Sequence, residues 1–424
     1  MSTIASYQNC VGKSSEIVAN NLHLDTNDIS LYLSSPISIL MALLYLLNGA
    51  SGNTRKNILN YLQISDDDMA TLTHTTLAFI NNTRKTPQVK TVNLLLVDKA
   101  FTPNDTYKKL ADKLGKYIDV DFANDNIAIV NNVNHIIENA TDGNIKNMID
   151  NNICTPSTTL LLVNIIHVKL EWDTPFIKNN THSNVFTTLS GDRKNVYMMS
   201  RKNSSFMYHE TYEYQTVIIP CRHNFSAVFM LPKKQASDIL KKSFAPSDYL
   251  VDMKERRGSV YIPRFKIEHD LDIVNILKNG GLDGMFCEKA EFNNICPVSG
   301  LYVNDMKHKV VIEMTETGIK ASAVTLVAMS QMYSPEPKNV FIFNANKSFR
   351  YQILQDSNFG QIVLFDGIYD GQGVSEYGQI REGYQPYNII NKYIEPDSSS
   401  AVYKCITIVL ILSLAIVCLM YCAR

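Results

Sequence analysis

Several motifs that mark enzymes and secreted proteins are missing from this sequence. It has no Gly-x-Ser-x-Gly, no phosphate-binding glycine loop, no His-Glu-x-x-His and no Cys-x-x-Cys, the spacings that place nucleophiles, phosphates or metal ions. The N-terminus lacks a basic stretch followed by a long apolar run, so we expect no signal peptide. We therefore expect no catalytic site, no metal site and no cofactor.

The sequence also lacks an excess of charge and a disulfide pattern. The sequence has 40 Lys and Arg residues and 41 Asp and Glu residues. The net charge therefore does not attract nucleic acid, and no such partner is expected. Three of the eight cysteines lie in a C-terminal apolar run, and the other five have no short spacing: Cys10, Cys154, Cys221, Cys287 and Cys296. Such cysteines favour free thiols in a reducing compartment over disulfides or a zinc site.

Apolar runs of two kinds predict an α+β protein. Pro36 in a first turn, followed by an almost wholly apolar body to Asn48, predicts a helix that is buried on most sides. A further helix is predicted at 55–62. Runs rich in β-branched and aromatic residues predict strands at 92–98, 158–172, 196–199, 215–221, 225–232, 259–267, 343–353 and 361–368. The run 158–172 should be a central strand that is covered on both faces.

Residues 313–334 combine the features of a loop with those of a strand. Acidic residues and Gly318 precede a run of small side chains, and a proline-broken segment follows Met332. On a strand, one face would carry apolar or small side chains, Ile319, Ala321, Ala323 and Thr325. The pattern thus indicates a loop that could become a strand, with Gly318 as its hinge. The alternative is an ordinary Ala-rich connector.

In order along the chain, these phrases resemble the serpin family of serine protease inhibitors. The family hinge Glu-Glu-Gly-Thr-Glu-Ala-Ala-Ala-Ala-Thr matches residues 316–325, and the phrase Ser-Pro-x-Ser-Ile…Gly-Ala-x-Gly-x-Thr matches residues 35–54. The central strand shares Asn164, Lys169, Trp172 and Phe176 with the family pattern. Residues 133–145 and 271–286 resemble two helices of the family. The departures are Asn144 for Lys, Ser348 for Pro, and the residues His167, Val168 and Leu170 of the central strand. The matching phrases run from Ser35 to Gly367.

This resemblance implies a fold and a mechanism for residues 1–370. The fold would have three β-sheets, about eight to nine helices and an exposed reactive-centre loop. The mechanism would be inhibition: a protease cuts the loop as a substrate and forms an acyl-enzyme, and the cut loop inserts into the main sheet before hydrolysis is complete. The alternative is a non-inhibitory serpin scaffold that serves as a membrane-held binding module. Ile319 and Lys320, where the family usually has Thr and Glu, weaken the inhibitory interpretation.

The resemblance also assigns site residues. Glu316 and Arg264 match an ion pair at the top of the sheet, although they could be two solvated charges, and Trp172 matches the aromatic residue of the same region, the breach. A polar cluster matches the point where the sheet must part: Ser35, Ser38, Asn164 and His308. Because buried polar groups need partners, we expect these four residues to form either a hydrogen-bonded latch or hydrogen bonds with a purely structural role.

Counting from Gly318 by the family spacing puts the reactive bond between Met332 and Tyr333, with Met329 or Tyr333 as alternative cleavage residues. Between Gly318 and Val340 there is no Asp and no Arg, which disfavours caspase-like and trypsin-like targets. We therefore expect the partner to be a chymotrypsin-, elastase- or cathepsin-like protease.

The C-terminal region has a composition of its own. Residues 371–400 are rich in Gly, Tyr, Asn, Ser and Pro and predict a flexible polar spacer. The uncharged run from Cys405 to Cys422 would span about 27 Å as a helix. We expect residues 401–424 to be a transmembrane tail anchor with a lipid bilayer as partner and the preceding domain on the cytoplasmic side; the alternative is a buried core helix. The missing signal peptide and free thiols resemble intracellular serpins, including those of poxviruses, which makes the chain a candidate for viral modulation of a host.

Overall fold

The structure is a computed structural model that describes residues 10–24, 29–83, 86, 88–168, 170–234, 237–242, 244–319, 340–358 and 360–373. Several predicted features lie outside these residues: Lys169, the small hinge residues Ala321, Ala323 and Thr325, the reactive bond Met332–Tyr333, the spacer beyond Gly373 and the apolar run 405–422. Among the helices that are described, none has both the length and the apolar character needed to cross a bilayer.

The described part contains helices and strands in the mixed order that the sequence predicts. The helices are α1 (Cys10–Leu24), α2 (Pro36–Gly49), α3 (Gly52–Leu62), α4 (Asp66–Thr83), α5 (Asp105–Leu114), α6 (Asn126–Ala140), α7 (Ser237–Leu240), α8 (Pro246–Tyr249) and α9 (Ile273–Leu277). The first strands are β1 (Leu33–Ser34), β2 (Val89–Asp98), β3 (Lys116–Val120), β4 (Leu160–Val168), β5 (Leu170–Glu171), β6 (His182–Thr187), β7 (Arg193–Glu210) and β8 (Tyr214–Cys221). The remaining strands are β9 (Phe225–Pro232), β10 (Lys254–Pro263), β11 (Phe265–Leu271), β12 (Val303–Met314), β13 (Gly318–Ile319), β14 (Phe341–Asn344), β15 (Phe349–Ser357) and β16 (Gly360–Tyr369).

The strands in the described part of the chain form two main sheets and one short pair. The large sheet has nine strands in the order β1-β16-β15-β9-β8-β7-β10-β14, with β6 paired to β7. The central sheet has five strands in the order β11-β12-β4-β2-β3. A two-stranded pair joins β13 to β5. Helix α2 contacts β16 of the large sheet and both β4 and β2 of the central sheet, so it lies between the two sheets.

Burial explains why α2 and β4 have so few polar residues. Every residue of α2 except Asn48 is buried, and every residue of β4 is buried. Leu162 and Ile166 of β4 belong to the same apolar core as α2, whereas Leu161, Val163 and Ile165 pack in a second core with α6. The prediction of a helix buried on most sides and of a strand covered on both faces is confirmed.

The predicted strand 259–267 is wrong as one element, because the structure divides it at Arg264. The first part is β10 of the large sheet and the second part is β11 of the central sheet. Pro263 has no N–H to donate to a strand partner, and the Arg264 N–H donates to the carbonyl oxygen of Tyr197 (2.8 Å). The chain therefore crosses between the sheets at a residue that the sequence analysis placed inside a strand.

Candidate functional site

The central sheet has a parallel pair of strands, β4 and β12, at its middle. Their register runs from Val303 opposite Leu160 to Val311 opposite His167. Beyond this point β12 continues to Met314 and β4 continues to Val168 without further pairing between them. The two strands are therefore joined over most of their length and separate at one end.

A tight turn fills the space where β4 and β12 separate. The Thr315 N–H donates to the carbonyl oxygen of Gly318 (2.8 Å), and the Gly318 N–H donates to that of Thr315 (3.2 Å). The chain then returns as β13 and pairs antiparallel with β5, with Gly318 opposite Glu171 and Ile319 opposite Leu170. The returning chain thus has the continuation of β12 on one side and the continuation of β4 on the other.

Gly318 is required at the start of this returning strand. Its φ of +138° is rare for residues with a side chain. A Cβ atom would lie 2.2 Å from the carbonyl oxygen of Leu170 and 2.6 Å from the Cα of Glu171. Since both neighbours are backbone atoms, neither can move aside without breaking the pairing of β13 with β5.

Replacing Gly318 by Ala is expected to displace β13 from β5. Backbone strain of about 1–3 kcal/mol would increase the amide exchange rate of Trp172, whose N–H donates to the Thr317 carbonyl (3.2 Å), by about tenfold or more. The matched control is Gly191→Ala, because Gly191 also has a positive φ (+90°) but open space where a Cβ would lie. Hydrogen exchange read by mass spectrometry or NMR checks this, and equal exchange at Trp172 in both variants would contradict it.

Trp172 packs against the turn. It is fully buried, and its Nε1–H donates to the carbonyl oxygen of Thr315 (2.8 Å). The Phe176 ring meets it edge-on at 5.7 Å, and the Phe176 N–H donates to the carbonyl oxygen of Glu316 (2.8 Å). The only Trp of the chain thus contacts the residues at which the chain reverses its direction.

Glu316 and Arg264 lie in contact at the same turn. The Arg264 Nη1 and the Glu316 Oε1 are 3.2 Å apart, and their side chains are 10% and 3% exposed. Thr181 donates its hydroxyl to the same Oε1 (2.8 Å). Glu316 is buried and Arg264 is largely buried, so the interpretation as two solvated charges does not fit the structure. That the pair holds the base of the loop stays a prediction.

The predicted polar cluster comes together between α2, β4 and β12. The Ser35 N–H donates to Nε2 of His308 (3.0 Å), and the His308 Nδ1 lies 2.8 Å from Oδ1 of Asn164. The Asn164 Nδ2 donates to the Ser38 carbonyl oxygen (2.8 Å) and to Oδ1 of Asn93. Within the described residues the hydroxyls of Ser35 and Ser38 have no hydrogen-bond partner. The two serines therefore take part through their backbone. That the cluster acts as a latch stays a prediction.

These contacts fix the protonation state of His308. Because Nε2 accepts from the Ser35 N–H, Nδ1 carries the proton and donates to Asn164. Burial, and to a smaller extent the neighbouring His269, lowers the pKa of His308 to about 3. A second proton on Nε2 would face the Ser35 N–H, so the charged form is incompatible with the closed cluster.

Acid is expected to destabilise the folded protein through His308. The unfolded chain takes up the proton near pH ~6.5, whereas the folded chain does so only near pH 3. The free energy of unfolding therefore falls by about 1.4 kcal/mol per pH unit as pH drops through this window. Urea unfolding of the wild type and of His308→Gln at pH ~7.5 and ~5 checks this. A pH dependence that is identical in both proteins would contradict it.

Sequence reasoning missed two residues of this site, Asn93 and Thr181. Asn93 is a single polar residue between Val92 and the apolar run that ends β2, a pattern that could have indicated a buried hydrogen bond. Thr181 lies in an irregular segment after Phe176, and no local pattern connects it with Glu316.

Comparison with known proteins relates this geometry to one family. A family model described as Serpin (serine protease inhibitor) matches residues 22–369. Human Serpin B4 is 28% identical over 363 residues, which cover 78% of this chain and 91% of that protein. An uncharacterised serpin-like protein of Acanthamoeba polyphaga mimivirus is 25% identical over 357 residues, which cover 81% of this chain and 86% of that protein. The crystal structure of human thyroxine-binding globulin complexed with thyroxine has a TM-score of 0.74 at 22% identity and covers 86% of this chain and 98% of its own.

Proposed function

Because the chain belongs to the serpin family, we propose that it inhibits a protease by presenting residues 320–339 as bait and inserting the cut segment between β4 and β12. Members of this family are generally protease inhibitors and not enzymes. The bait itself lies outside the described residues, so the proposal depends on the two strands and the turn that would receive it.

The observation that carries the proposal is the start of an antiparallel strand at the open end of a parallel pair. A segment that leaves β12 through the turn at Thr315 must run antiparallel to β12, and because β4 is parallel to β12 it must also run antiparallel to β4. Insertion would therefore replace one parallel ladder by two antiparallel ladders, which are somewhat more stable per residue. Gly318 and Ile319 already occupy the first positions of such a strand.

The chemistry of trapping would be that of an interrupted acyl transfer. The protease nucleophile attacks the carbonyl carbon of Met332, the bond to Tyr333 breaks, and the amine of Tyr333 leaves with the proton supplied by the protease. The acyl bond then joins Met332 to the protease. Insertion of residues 319–332 would move this bond and the attached protease to the far end of the central sheet before water completes hydrolysis.

Opening of the sheet would break the polar cluster. His308 belongs to β12 and Asn164 to β4, and both are also hydrogen-bonded to the start of α2. When the strands part, at least the bond between these two side chains must be lost. The cluster would thus oppose premature opening, while a cut bait would supply the new backbone partners that compensate for the loss.

The target class follows from the bait sequence. With Met332 before the reactive bond and no Asp or Arg between Gly318 and Val340, a protease with an apolar specificity pocket fits best. We expect a chymotrypsin-, elastase- or cathepsin-like enzyme. A loop-directed screen of such proteases, read by mass spectrometry of the cut site, also decides between Met332, Met329 and Tyr333.

The Ala323→Arg variant is expected to turn the inhibitor into a substrate. On an inserted strand Ala323 would face the core, where a charge is costly, so insertion would stall and the protease would hydrolyse the acyl bond. Ser322→Arg is the matched control, because its side chain would point to the wetter face. The measurement is the ratio of covalent complex to cleaved inhibitor on a denaturing gel, which should drop by about tenfold or more for Ala323→Arg alone.

Equal ratios for the two variants would contradict insertion in this register. The absence of a covalent complex with every protease that cuts the wild-type bait would contradict inhibition itself. In that case the second candidate, a non-inhibitory serpin scaffold that binds a ligand or partner, remains. Thyroxine-binding globulin, whose fold this chain shares, was crystallised with thyroxine, and the departures Ile319 and Lys320 also favour this second candidate.

The C-terminal run is proposed as a membrane anchor. Residues 405–422 carry no charge and are flanked by Lys404 and Arg424, and their length suits a bilayer core of ~30 Å. The full chain should stay in the membrane when the membrane is extracted with alkaline carbonate. A chain that ends at residue 400 should be found in the soluble fraction. Digestion of the serpin domain by protease added outside intact microsomes would place it on the cytoplasmic side, and protection would contradict that orientation.

A further inference from the structure

Three polar side chains form one row across the central sheet. Asn93 of β2 lies opposite Asn164 of β4, and Asn164 lies opposite His308 of β12. Residues directly opposite each other point to the same face of a sheet, and the bonds of Asn164 and His308 to α2 identify this face as the one that α2 covers. All three side chains are buried. The resemblance to the family assigned roles to Asn164 and His308 but not to Asn93.

The two ends of the Asn93 carboxamide have partners of unequal strength. Its Oδ1 accepts a hydrogen bond from Nδ2 of Asn164. Its Nδ2 lies 3.3 Å from Sδ of Met41 on α2, and a thioether sulfur is a weak acceptor. Among the described residues this sulfur is the partner of Nδ2. In the closed sheet, a strong donor is therefore held on a weak acceptor.

Separation of β4 from β12 would keep Asn93 and Asn164 together. Strands β2 and β4 are paired over nine positions, of which Asn93 opposite Asn164 is the fifth, and insertion between β4 and β12 leaves this ladder intact. The bond between His308 Nδ1 and Asn164 Oδ1 would be lost, since His308 belongs to β12. An acceptor that loses its donor in the core makes opening costly.

Asn93 is placed to supply the missing donor. A turn of its Nδ2 from the Met41 sulfur to Asn164 would let it donate to Oδ1 of Asn164, while its own Oδ1 still accepts from Nδ2 of Asn164. Two carboxamides can form such a reciprocal pair because each carries both a donor and an acceptor. The open sheet would then have one bond between these two side chains more than the closed sheet. Only an interaction that differs between two states shifts the equilibrium between them.

We propose that Asn93 is a positioning residue for opening of the sheet, because it holds a donor in reserve on Met41 and transfers it to Asn164 when His308 leaves. The proposal rests on the proposed inhibitory function, since the open sheet is the state that would receive the cut bait. The competing explanation is that Asn93 only supplies an acceptor to Asn164 in the closed sheet.

The reserve bond would be needed during only part of the insertion. Gly318 and Ile319 set the register of the returning chain against β5, and the same register along β4 would bring Thr325 opposite Asn164. From that point the new strand has its own polar side chain beside Asn164. The role of Asn93 is therefore expected in the rate of opening and not in the stability of the inserted form.

The experiment measures opening of the sheet without a protease. The probe is an acetylated peptide with the sequence of residues 319–332 and a fluorescent label, which would occupy the open sheet in place of the bait. Its rate of incorporation into the full chain is followed by fluorescence anisotropy for the wild type, Asn93→Leu, Asn93→Ala and Met41→Leu. Leu is larger than Asn and Ala is smaller, so an effect that both Asn93 variants share comes from the lost carboxamide and not from volume. Melting temperatures verify that the variants are folded.

Both Asn93 variants should incorporate the peptide about fivefold more slowly than the wild type, because Asn164 has no replacement donor in the open sheet. Met41→Leu nearly conserves volume and removes the partner of the Asn93 Nδ2 in the closed sheet alone, so it should incorporate the peptide about twofold faster. If Asn93 only supported the closed sheet, its variants would open faster. Faster or unchanged incorporation in the Asn93 variants, slower incorporation in Met41→Leu, or no incorporation into the wild type would overturn the proposal.

Covalent complexes with chymotrypsin are scored in parallel, so that the two proposals fail separately. If the peptide rates follow the expected order but no protease that cuts the bait forms a covalent complex, the inhibitory function is wrong and the role of Asn93 in opening stands. If covalent complexes form but the peptide rates do not follow this order, the role of Asn93 is wrong and the inhibitory function stands.

Discussion

Cleavage of the bait at Met332–Tyr333 is expected to raise the melting temperature of the protein by about 20 °C. Insertion of the cut segment would add on the order of ten net backbone hydrogen bonds at roughly 1 kcal/mol each, and a domain of this size gains about 2 °C per kcal/mol. The apolar and small residues Ile319, Ala321, Ala323 and Thr325 would also leave water and enter the core. Differential scanning calorimetry of intact and nicked protein measures the shift.

Two controls make this result specific to insertion. A cut in the polar spacer, between residues 374 and 400, should leave the melting temperature unchanged, because that segment would not enter the sheet. The Ala323→Arg variant should be cut at the same bond and gain little. If the nicked and the intact wild-type protein have the same melting temperature, the result would instead favour the non-inhibitory scaffold.

Removal of Arg350 is expected to cost about 3–5 kcal/mol of folding stability. Arg350 and Asp366 are both fully buried and form a two-pronged ion pair, with Nε to Oδ1 at 2.9 Å and Nη2 to Oδ2 at 2.6 Å. The Arg350 Nη1 also donates to the Lys242 carbonyl oxygen (2.8 Å). The Arg350→Met variant would leave the Asp366 carboxylate in the core without its cation. Urea unfolding measures the resulting loss of folding stability.

Two further variants test this explanation. The double variant Arg350→Met/Asp366→Leu should recover most of the lost stability, because no buried charge remains. Arg222→Met removes the exposed ion pair with Glu171 and should cost less than about 1 kcal/mol. If the double variant were as unstable as Arg350→Met, the loss would come from packing and not from an uncompensated charge.

The strands β15 and β16 show a feature that local sequence patterns do not predict. Alternation from Phe343 to Ile353 predicts one strand, whereas the structure divides this run between the end of β14 and the start of β15. Alternation alone also indicates a face that is open to water. The structure buries Arg350 and Gln352 completely, because the irregular segment around α7 and α8 covers them and offers them carbonyl oxygens at Lys242 and Phe244. Such contacts join residues more than a hundred positions apart, and no local pattern encodes them.

The site was more accessible to prediction, since its residues are tied to turns and buried strands with distinctive composition. Gly318 indicated the hinge because glycine tolerates unusual backbone angles, and the resemblance to the polar cluster of the family indicated hydrogen bonding by Asn164 and His308. The sequence could not show that Ser35 and Ser38 contribute backbone groups, nor that Thr181 shares the Glu316 carboxylate. Those contacts depend on the packing of α2 and of the segment after Phe176 against the central sheet.

The most direct test of the trap is a crystal structure of the protein after a single cut in the bait. The proposed function predicts that residues 319–332 form a new strand, antiparallel to both neighbours, between β4 and β12, and that the hydrogen bond from His308 to Asn164 is lost. If β4 and β12 are still paired from Val303–Leu160 to Val311–His167 in the cut molecule, insertion does not occur and the inhibitory mechanism is wrong.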